Sequence, residues 1–550
     1  MKKVFYMYSI FGTVAWIVLA MTAQMFIVDL FLYISILVLI PMGLQITNQT
    51  GKWTRLLVII YPIAAVSSVL SHWYPIFSWA WWVFTILLAF FGIAHFIKQG
   101  GMYIEENMIN FAWMYTAIGG TWLVAHAYNY ALMGFDSMIV VLTANHFHYA
   151  SLFPLLFHGL LGRELKSQGK VLSAPYKAAG IIMLVIPLFI AIGITYARWM
   201  EIAGALLFAC SLIAYAVLTW KSTISGQRLI AKILLNISSV SVTVTILLSV
   251  IYAFGRWQGM TTISIPTMIM IHGAVNVFGF SVPGMIGYLM LTNKQHVPVS
   301  SIPFSKIKGT FPVGRHFFHK QGAIDEGAAS LPAGMVDSMD LFTSASFHPN
   351  AIHPLIRSFY ENTMMFELDV VPRWHPLFYP VAKRYKKLSQ RMEQMNFPVS
   401  SNDRKVEVES AIFPLKDETD GRTNVRAWIR SEQATKKAFY VAAYSTHTNN
   451  ETGERYYNIF FPLPFGGMTS VLRITHFQEQ GVHLTSLSHT KHVTEQQGVY
   501  GSIGSYHIRL PINETIDVWV EDHVIKACHH SWLFGFRCLT LNYEIRKLKD

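Results

Sequence analysis

The sequence predicts an α-helical polytopic membrane bundle of about ten spans, N-terminus and C-terminus inside, followed by an α+β cytoplasmic domain rich in antiparallel strands, arranged as a barrel or curved sheet. Three observations predict it. The 550-residue chain is 53% hydrophobic, with a mean hydropathy of +0.37, too apolar for a string of soluble domains. Its charge is unevenly spread, because residues 1–295 hold only 15 of the 43 Lys/Arg and 6 of the 31 Asp/Glu. Beyond Gln295 the long apolar runs give way to short segments in which apolar and polar residues alternate. The chain therefore divides into a transmembrane helical domain at 1–295, a linker with short elements at 296–350, a helical segment at 351–397 and a β-rich domain at 398–550. The net charge of +12 falls mostly in the apolar part. That excludes a nucleic-acid binder, whose basic surface belongs on a water-facing domain.

A helix needs about 20 apolar residues to cross the hydrocarbon core. Ten segments qualify: 4–23, 26–45, 54–71, 77–97, 109–131, 137–161, 179–197, 200–220, 230–254 and 264–291. Met1-Lys2-Lys3 and the run after it could pass for a signal peptide, but the second run follows almost at once, so the first reads as a span. Prolines at 62, 154, 187, 266 and 283 mark kinks. With the N-terminus inside, 13 Lys/Arg fall in inner segments and only Arg198 and Arg256 in outer loops. This asymmetry places the second part of the chain in the cytoplasm of a cell-membrane protein. Its three cysteines cannot form a disulfide framework, which agrees with a reducing compartment.

In the second part, residues 297–349 are rich in Pro, Gly and Ser without a sustained period, and a helix is expected at 353–362. After Trp374–Pro380, Val381, Ala382, Tyr385, Leu388, Met392 and Met395 recur at spacings of three and four, the mark of an amphipathic helix. Lys383, Arg384, Lys386, Lys387 and Arg391 on its other side suit an anionic leaflet, although a helix packed on its own domain with a solvated basic face fits the same spacing. From Val406 onward the period is two, with strands expected near 406–412, 425–430, 436–447, 455–461, 469–477, 482–489, 498–510, 515–521 and 535–545. A barrel of this kind can enclose a small-molecule or lipid ligand or be filled by its own core.

The spans carry no charged residue near mid-depth; Asp29 and Glu201 sit toward the outer ends. They carry histidine and asparagine instead, and polar groups at membrane depth are costly enough to suggest function. At 1.5 Å per residue, Asn145, His146, His148 and Tyr149 lie about 12 to 18 Å below the outer surface, and His272 and Asn276 at similar depth. His126 and Asn129 lie nearer the outside. Asn145, His148 and Tyr149 share one face of their helix, as do His272 and Asn276, so a single cavity lined by His126, Asn129, Asn145, His148, Tyr149, His272 and Asn276 is expected. An interhelical hydrogen bond is the plainer role for each. His146 points about 200° from His148, so the pair cannot chelate a metal from an unbroken helix. His72, His95 and His158 read as interfacial. His523, Cys528, His529, His530 and Cys538 lack zinc-site spacing, and His476, His483, His489 and His492 read as surface residues. No metal or other cofactor is expected. No phosphate-binding loop, nucleophile elbow or metalloprotease helix is present, so no catalytic residue is assigned.

Asn145-His146-Phe147-His148-Tyr149-Ala150, the His126-bearing segment before it, and Leu510-Pro511-Ile512-Asn513-Glu514-Thr515 carry a resemblance to the bacterial YndJ-like membrane proteins, extending over the whole chain. The resemblance implies a multi-pass membrane protein with a cytoplasmic tail domain and supplies no catalytic residue. Transport or handling of a small or amphipathic, lipid-like molecule is the leading expectation, with membrane lipids as partners. A membrane-embedded enzyme using His148 as acid or base, and a sensor with a cytoplasmic interaction domain, are the alternatives.

Overall fold

The computed structural model describes residues 4–47, 52–99, 103–223, 229–291, 302–328, 330–397, 399, 406–450, 452–487 and 495–548. The expectations for Lys2, Lys3, Arg228, Lys294, His489 and His492 fall outside them. The chain forms two compact units, Met1–Phe96 with Tyr103–Gln295, and Ile97–Met102 with His296–Asp550.

The first unit is helical: α1 (Val4–Thr22), α2 (Ile27–Thr47), α3 (Lys52–Leu70), α4 (Ser78–Gln99), α5 (Ile104–Ala127), α6 (Ser137–Tyr149), α7 (Phe153–Ser167), α8 (Ala174–Tyr196), α9 (Arg198–Thr223), α10 (Leu229–Gln258) and α11 (Ile265–Leu289). Among the described residues, eight of these segments are long and apolar enough to cross a membrane, with α6 and α7 counted as one interrupted segment. The other two are α3, whose apolar part is the shorter Arg55–Leu70, and α5, whose first turn carries Glu105 and Glu106. Lipid offers the backbone no partners, so each segment satisfies its own N–H and C=O groups as a helix. Packing is close where side chains are small: a Cβ on Gly12 of α1 would lie 1.9 Å from the Leu37 carbonyl oxygen of α2.

Two helices run past the boundaries drawn from hydropathy, and charges meet there. Arg163 of α7 donates two hydrogen bonds to Glu106 of α5, both 2.6 Å, and Lys166 donates to Glu105 at 2.5 Å. Arg163, Glu105 and Glu106 are buried. His158 is not interfacial. It is buried, stacked on Tyr176 with ring centroids 4.1 Å apart, and its Nε2 donates to the Tyr176 carbonyl.

The second unit holds β1 (Phe366–Trp374), β2 (Val406–Pro414), β3 (Arg426–Glu432), β4 (Ala438–Thr448), β5 (Arg455–Leu463), β6 (Gly466–Phe477), β7 (Gly481–Thr485), β8 (Gly498–Ile503), β9 (Tyr506–Arg509), β10 (Ile512–Glu521), β11 (Val524–Leu533) and β12 (Phe536–Lys547). All pairings are antiparallel. The order β5-β4-β3-β2-β1-β12-β11-β10-β7-β6 closes on itself through β5–β6, giving a ten-stranded barrel, and β8 with β9 extends the edge of β6 beyond β7. Two of these strands escape the sequence reading. β1 lies between two helical stretches and contains Pro372, and β11 alternates with Cys528, His529 and His530 in place of clear apolar residues.

The barrel interior is filled by its own side chains, among them Val370, Trp428, Leu472, Ile525 and Leu541. Arg430 is buried with them, its guanidinium 4.2 Å from the Trp428 ring centroid and 4.3 Å from that of Tyr440, a cation–π sandwich that offsets part of its desolvation. The stretch expected as a linker packs against the strands, with Phe317 and Phe318 meeting Ile429 and Val441, and Met339 and Phe342 joining the main core. Helix α12 (Pro354–Glu361) follows it, and α13 (Tyr379–Met392) connects β1 to the approach to β2.

Candidate functional site

The helical unit encloses a cavity of about 620 Å³ lined by parts of α2, α5, α6, α8, α9, α10 and α11. That is within the size of small-molecule sites, and the lining is mostly apolar. Two irregular helices supply its polar groups. Asp136 caps α6, accepting from the Ile139 N–H at 2.9 Å. The helix then breaks at Ala150-Ser151-Leu152, because Pro154 has no N–H to continue the ladder. Helix α11 starts at the Ser264 cap with Pro266 behind it and is wound as π-helix over Ile269–Gly273 and Val275–Ser281. Wide turns of this kind recur at functional positions.

Asn145, His146, Tyr149, His272 and Asn276 on these helices line the cavity, together with the hydroxyl residues Thr143 and Ser281. Asn145 Nδ2 donates to the carbonyls of Val141 (3.0 Å) and Val28 (3.2 Å), and the Tyr149 hydroxyl donates to the Phe31 carbonyl at 2.6 Å. Asn276 Nδ2 donates to the His272 carbonyl at 2.9 Å, and its Oδ1 accepts from Thr245 at 3.0 Å. The two histidines share one arrangement. His146 Nδ1 donates to the Leu142 carbonyl at 2.7 Å, and His272 Nδ1 to the Thr245 carbonyl at 3.0 Å, with the Ser249 hydroxyl 3.2 Å from the same nitrogen. An imidazole with Nδ1–H committed in this way presents Nε2 as an acceptor. Neither Nε2 has a hydrogen-bond partner among the described residues. Glu201 and Arg256 also line the cavity, with 3.5 Å between Oε2 and Nε.

Three expected members lie elsewhere. His148 is fully buried outside the cavity: Nδ1 donates to the Ala144 carbonyl at 2.8 Å and Nε2 accepts from Trp81 Nε1–H at 3.1 Å, so both nitrogens are used in packing. At about 100° per residue, Asn145, Tyr149 and His146 span a 100° face, and His148 lies about 60° beyond its edge. His126 Nε2 instead meets Asp29 Oδ1 at 2.9 Å. Asn129 is exposed in the turn after α5 with φ 47°. The sequence reading missed His146, set aside for pointing away from His148, and the pair of Glu201 with Arg256. Among the described residues no group of three or more His, Cys, Asp or Glu side chains is arranged to hold a metal ion.

In the second unit, Glu514 is buried in the barrel, accepting from the Ser470 hydroxyl and lying 2.8 Å from His529 Nε2. Burial alone would raise its pKa, but the hydrogen bond and charge of His529, the Ser470 hydroxyl and the charge of Arg509 outweigh it and hold the carboxyl below its ordinary range. His483 pairs with Asp517 at 2.5 Å, and the Cys528 sulfur lies 3.4 Å from His530 Nε2. Burial pushes the Cys528 thiol up and the His530 imidazole down, so neither is poised as a thiolate–imidazolium pair.

Fold and cavity together define a multi-pass helical membrane protein joined to a closed antiparallel barrel. The family described as YndJ-like protein matches residues 30–280, which include Asn145, His146, Tyr149, His272 and Asn276. The chain is 34% identical over 493 residues to a protein of Bacillus subtilis strain 168 described as uncharacterized membrane protein YndJ, covering 89% of this chain and 87% of that one. The chain belongs to the YndJ-like family. No solved structure matches it.

Proposed function

We propose that this protein handles or transports a small amphipathic molecule through the cavity of its helical unit, with the barrel domain on the cytoplasmic side. One observation carries the reading: two histidines on different irregular helices line the same apolar cavity, each with Nδ1 bonded to a backbone carbonyl and Nε2 without a hydrogen-bond partner among the described residues. A ligand suited to that lining has an apolar body and a headgroup that donates hydrogen bonds, such as an amine or a hydroxyl. An interrupted helix lining a site within the membrane domain is also how many carriers expose backbone groups to a substrate. The cytoplasmic placement is supported by the excess of Lys and Arg in the segments assigned to the inner side.

The test compares lipids and metabolites of cells lacking the protein with cells complemented by the wild type, His146→Ala, His272→Ala or His148→Phe, at matched membrane levels. The wild type is expected to restore one class of amphipathic compound and the two cavity variants to fail. Full rescue by both cavity variants overturns the reading. Cysteine accessibility at an exposed barrel position in intact and permeabilised cells checks the placement separately.

A further inference from the structure

The register of the barrel brings one set of hairpins to a single end. The β5–β6, β8–β9 and β11–β12 turns meet there, since Leu463 pairs with Gly466, Gly467 with Ser502, Ile512 with Leu533 and Trp374 with Leu539. Their tips are apolar and unprotected: Phe465, Phe534 and Ile503 are 86%, 73% and 71% exposed. The β3–β4 turn, Gln433 to Lys437, reaches the same end and is polar, as are the turns Gln478-Glu479-Gln480 and Asp522-His523 at the opposite end.

Helix α13 belongs to the apolar end. It leaves β1 just after Trp374, and at its far side Gln394 donates to the carbonyls of Val441 in β4 and Pro462 in β5. Its inward side is Ala382, Ser389 and Met392. The sequence reading put Val381 and Leu388 on that packed side, but both are exposed. Val381 and Leu388 fall with Arg384 and Arg391 within about 80° of the helix circumference, Lys387 flanks them, and Leu377 is exposed in the turn just before the helix. Arg384, Lys387 and Arg391 have no acidic partner among the described residues.

We infer that this end of the barrel, the three hairpin tips with the outer face of α13, docks on an anionic lipid leaflet. Exposed aromatic and aliphatic tips beside unpaired cations match the layered chemistry of such a surface, where apolar groups enter the acyl boundary and basic groups meet headgroup phosphates. A domain carried on the same chain as eight apolar spans also works tethered to lipid. The inference does not depend on the cavity or on which side of the membrane the barrel occupies.

The full chain is placed in nanodiscs of phosphatidylcholine alone, or of phosphatidylcholine with phosphatidylglycerol in both leaflets, and amide exchange is followed by mass spectrometry. Exchange over residues 376–391 and at the three tips is expected to slow with the anionic lipid and to recover at high salt, while the opposite end is unchanged. Each cation removed is expected to weaken the docked state roughly fivefold, so Arg384→Gln with Arg391→Gln costs roughly 25-fold; Phe465→Ser with Phe534→Ser abolishes the protection. All these side chains are exposed, and unchanged thermal melting of the variants shows that the fold survives. Equal exchange in both lipids, or protection insensitive to all four substitutions, overturns the inference.

Discussion

The two units treat buried polarity in different ways. In the helical unit a hydroxyl usually turns back onto its own helix, as Thr13 does on Ser9, Thr47 on Gly43 and Thr219 on Tyr215. In the barrel, polar side chains reach across strands: Ser470 and His529 to Glu514, Arg430 to Tyr444, and His447 to Asn458. A helix can satisfy a short polar side chain within one turn, whereas a strand points it at a neighbouring strand. A polar atom left over inside the helical bundle is therefore informative, and the Nε2 atoms of His146 and His272 are such atoms.

The contrast breaks first where the helical unit does reach between elements. Arg163→Met strands the Glu106 carboxylate and is expected to cost about 3–5 kcal/mol, read as lost melting temperature in detergent, while Arg163→Met with Glu106→Gln recovers most of it. Next come the histidines. His148→Ala removes a packed ring and its bond to Trp81, at about 2–3 kcal/mol; His146→Ala, on the cavity wall, should stay within about 0.5 kcal/mol of wild type. A matching loss in both would erase the distinction between packing and lining.

In the barrel, Glu514→Gln is expected to cost about 1–2 kcal/mol at neutral pH. Because the folded carboxyl titrates below its unfolded value, this contribution is present above the ordinary carboxylate range, near pH 4, and is lost as pH falls through the folded value. The gap between wild type and Glu514→Gln melting should thus narrow on acidification, and a constant gap would show that the carboxylate charge is not what stabilises. The smallest effect belongs to Asn129→Gly, which keeps the left-handed turn and should change stability by only a few tenths of a kcal/mol.

Hydropathy makes the helical segments legible, eight of them by a long apolar run, α3 by a shorter one and α5 by the apolar stretch after its charged first turn. It hides the Glu105, Glu106, Arg163 and Lys166 cluster, since a window that seeks apolar residues stops short of charged turns that the helices continue through. Facing is hidden: a 100° step separates neighbours, so choosing His146 over His148 as the cavity residue needs the contact of His148 with Trp81. Period two reveals most strands of the barrel but not its closure, which depends on the remote pairing of β1 with β12 and on the β5–β6 seam. The exposed face of α13 was obscured because Val381 and Leu388 fit a core pattern as well as a surface one.

That β1 pairs with β12 along its whole length has an effect on biosynthesis. The ring cannot shut until translation has delivered its twelfth strand, so β1 must wait, unmatched on one edge, while the intervening strands emerge from the ribosome. Nascent chains halted before residue 536 are therefore the ones that should call on chaperones and proteases, well after the membrane helices have been inserted.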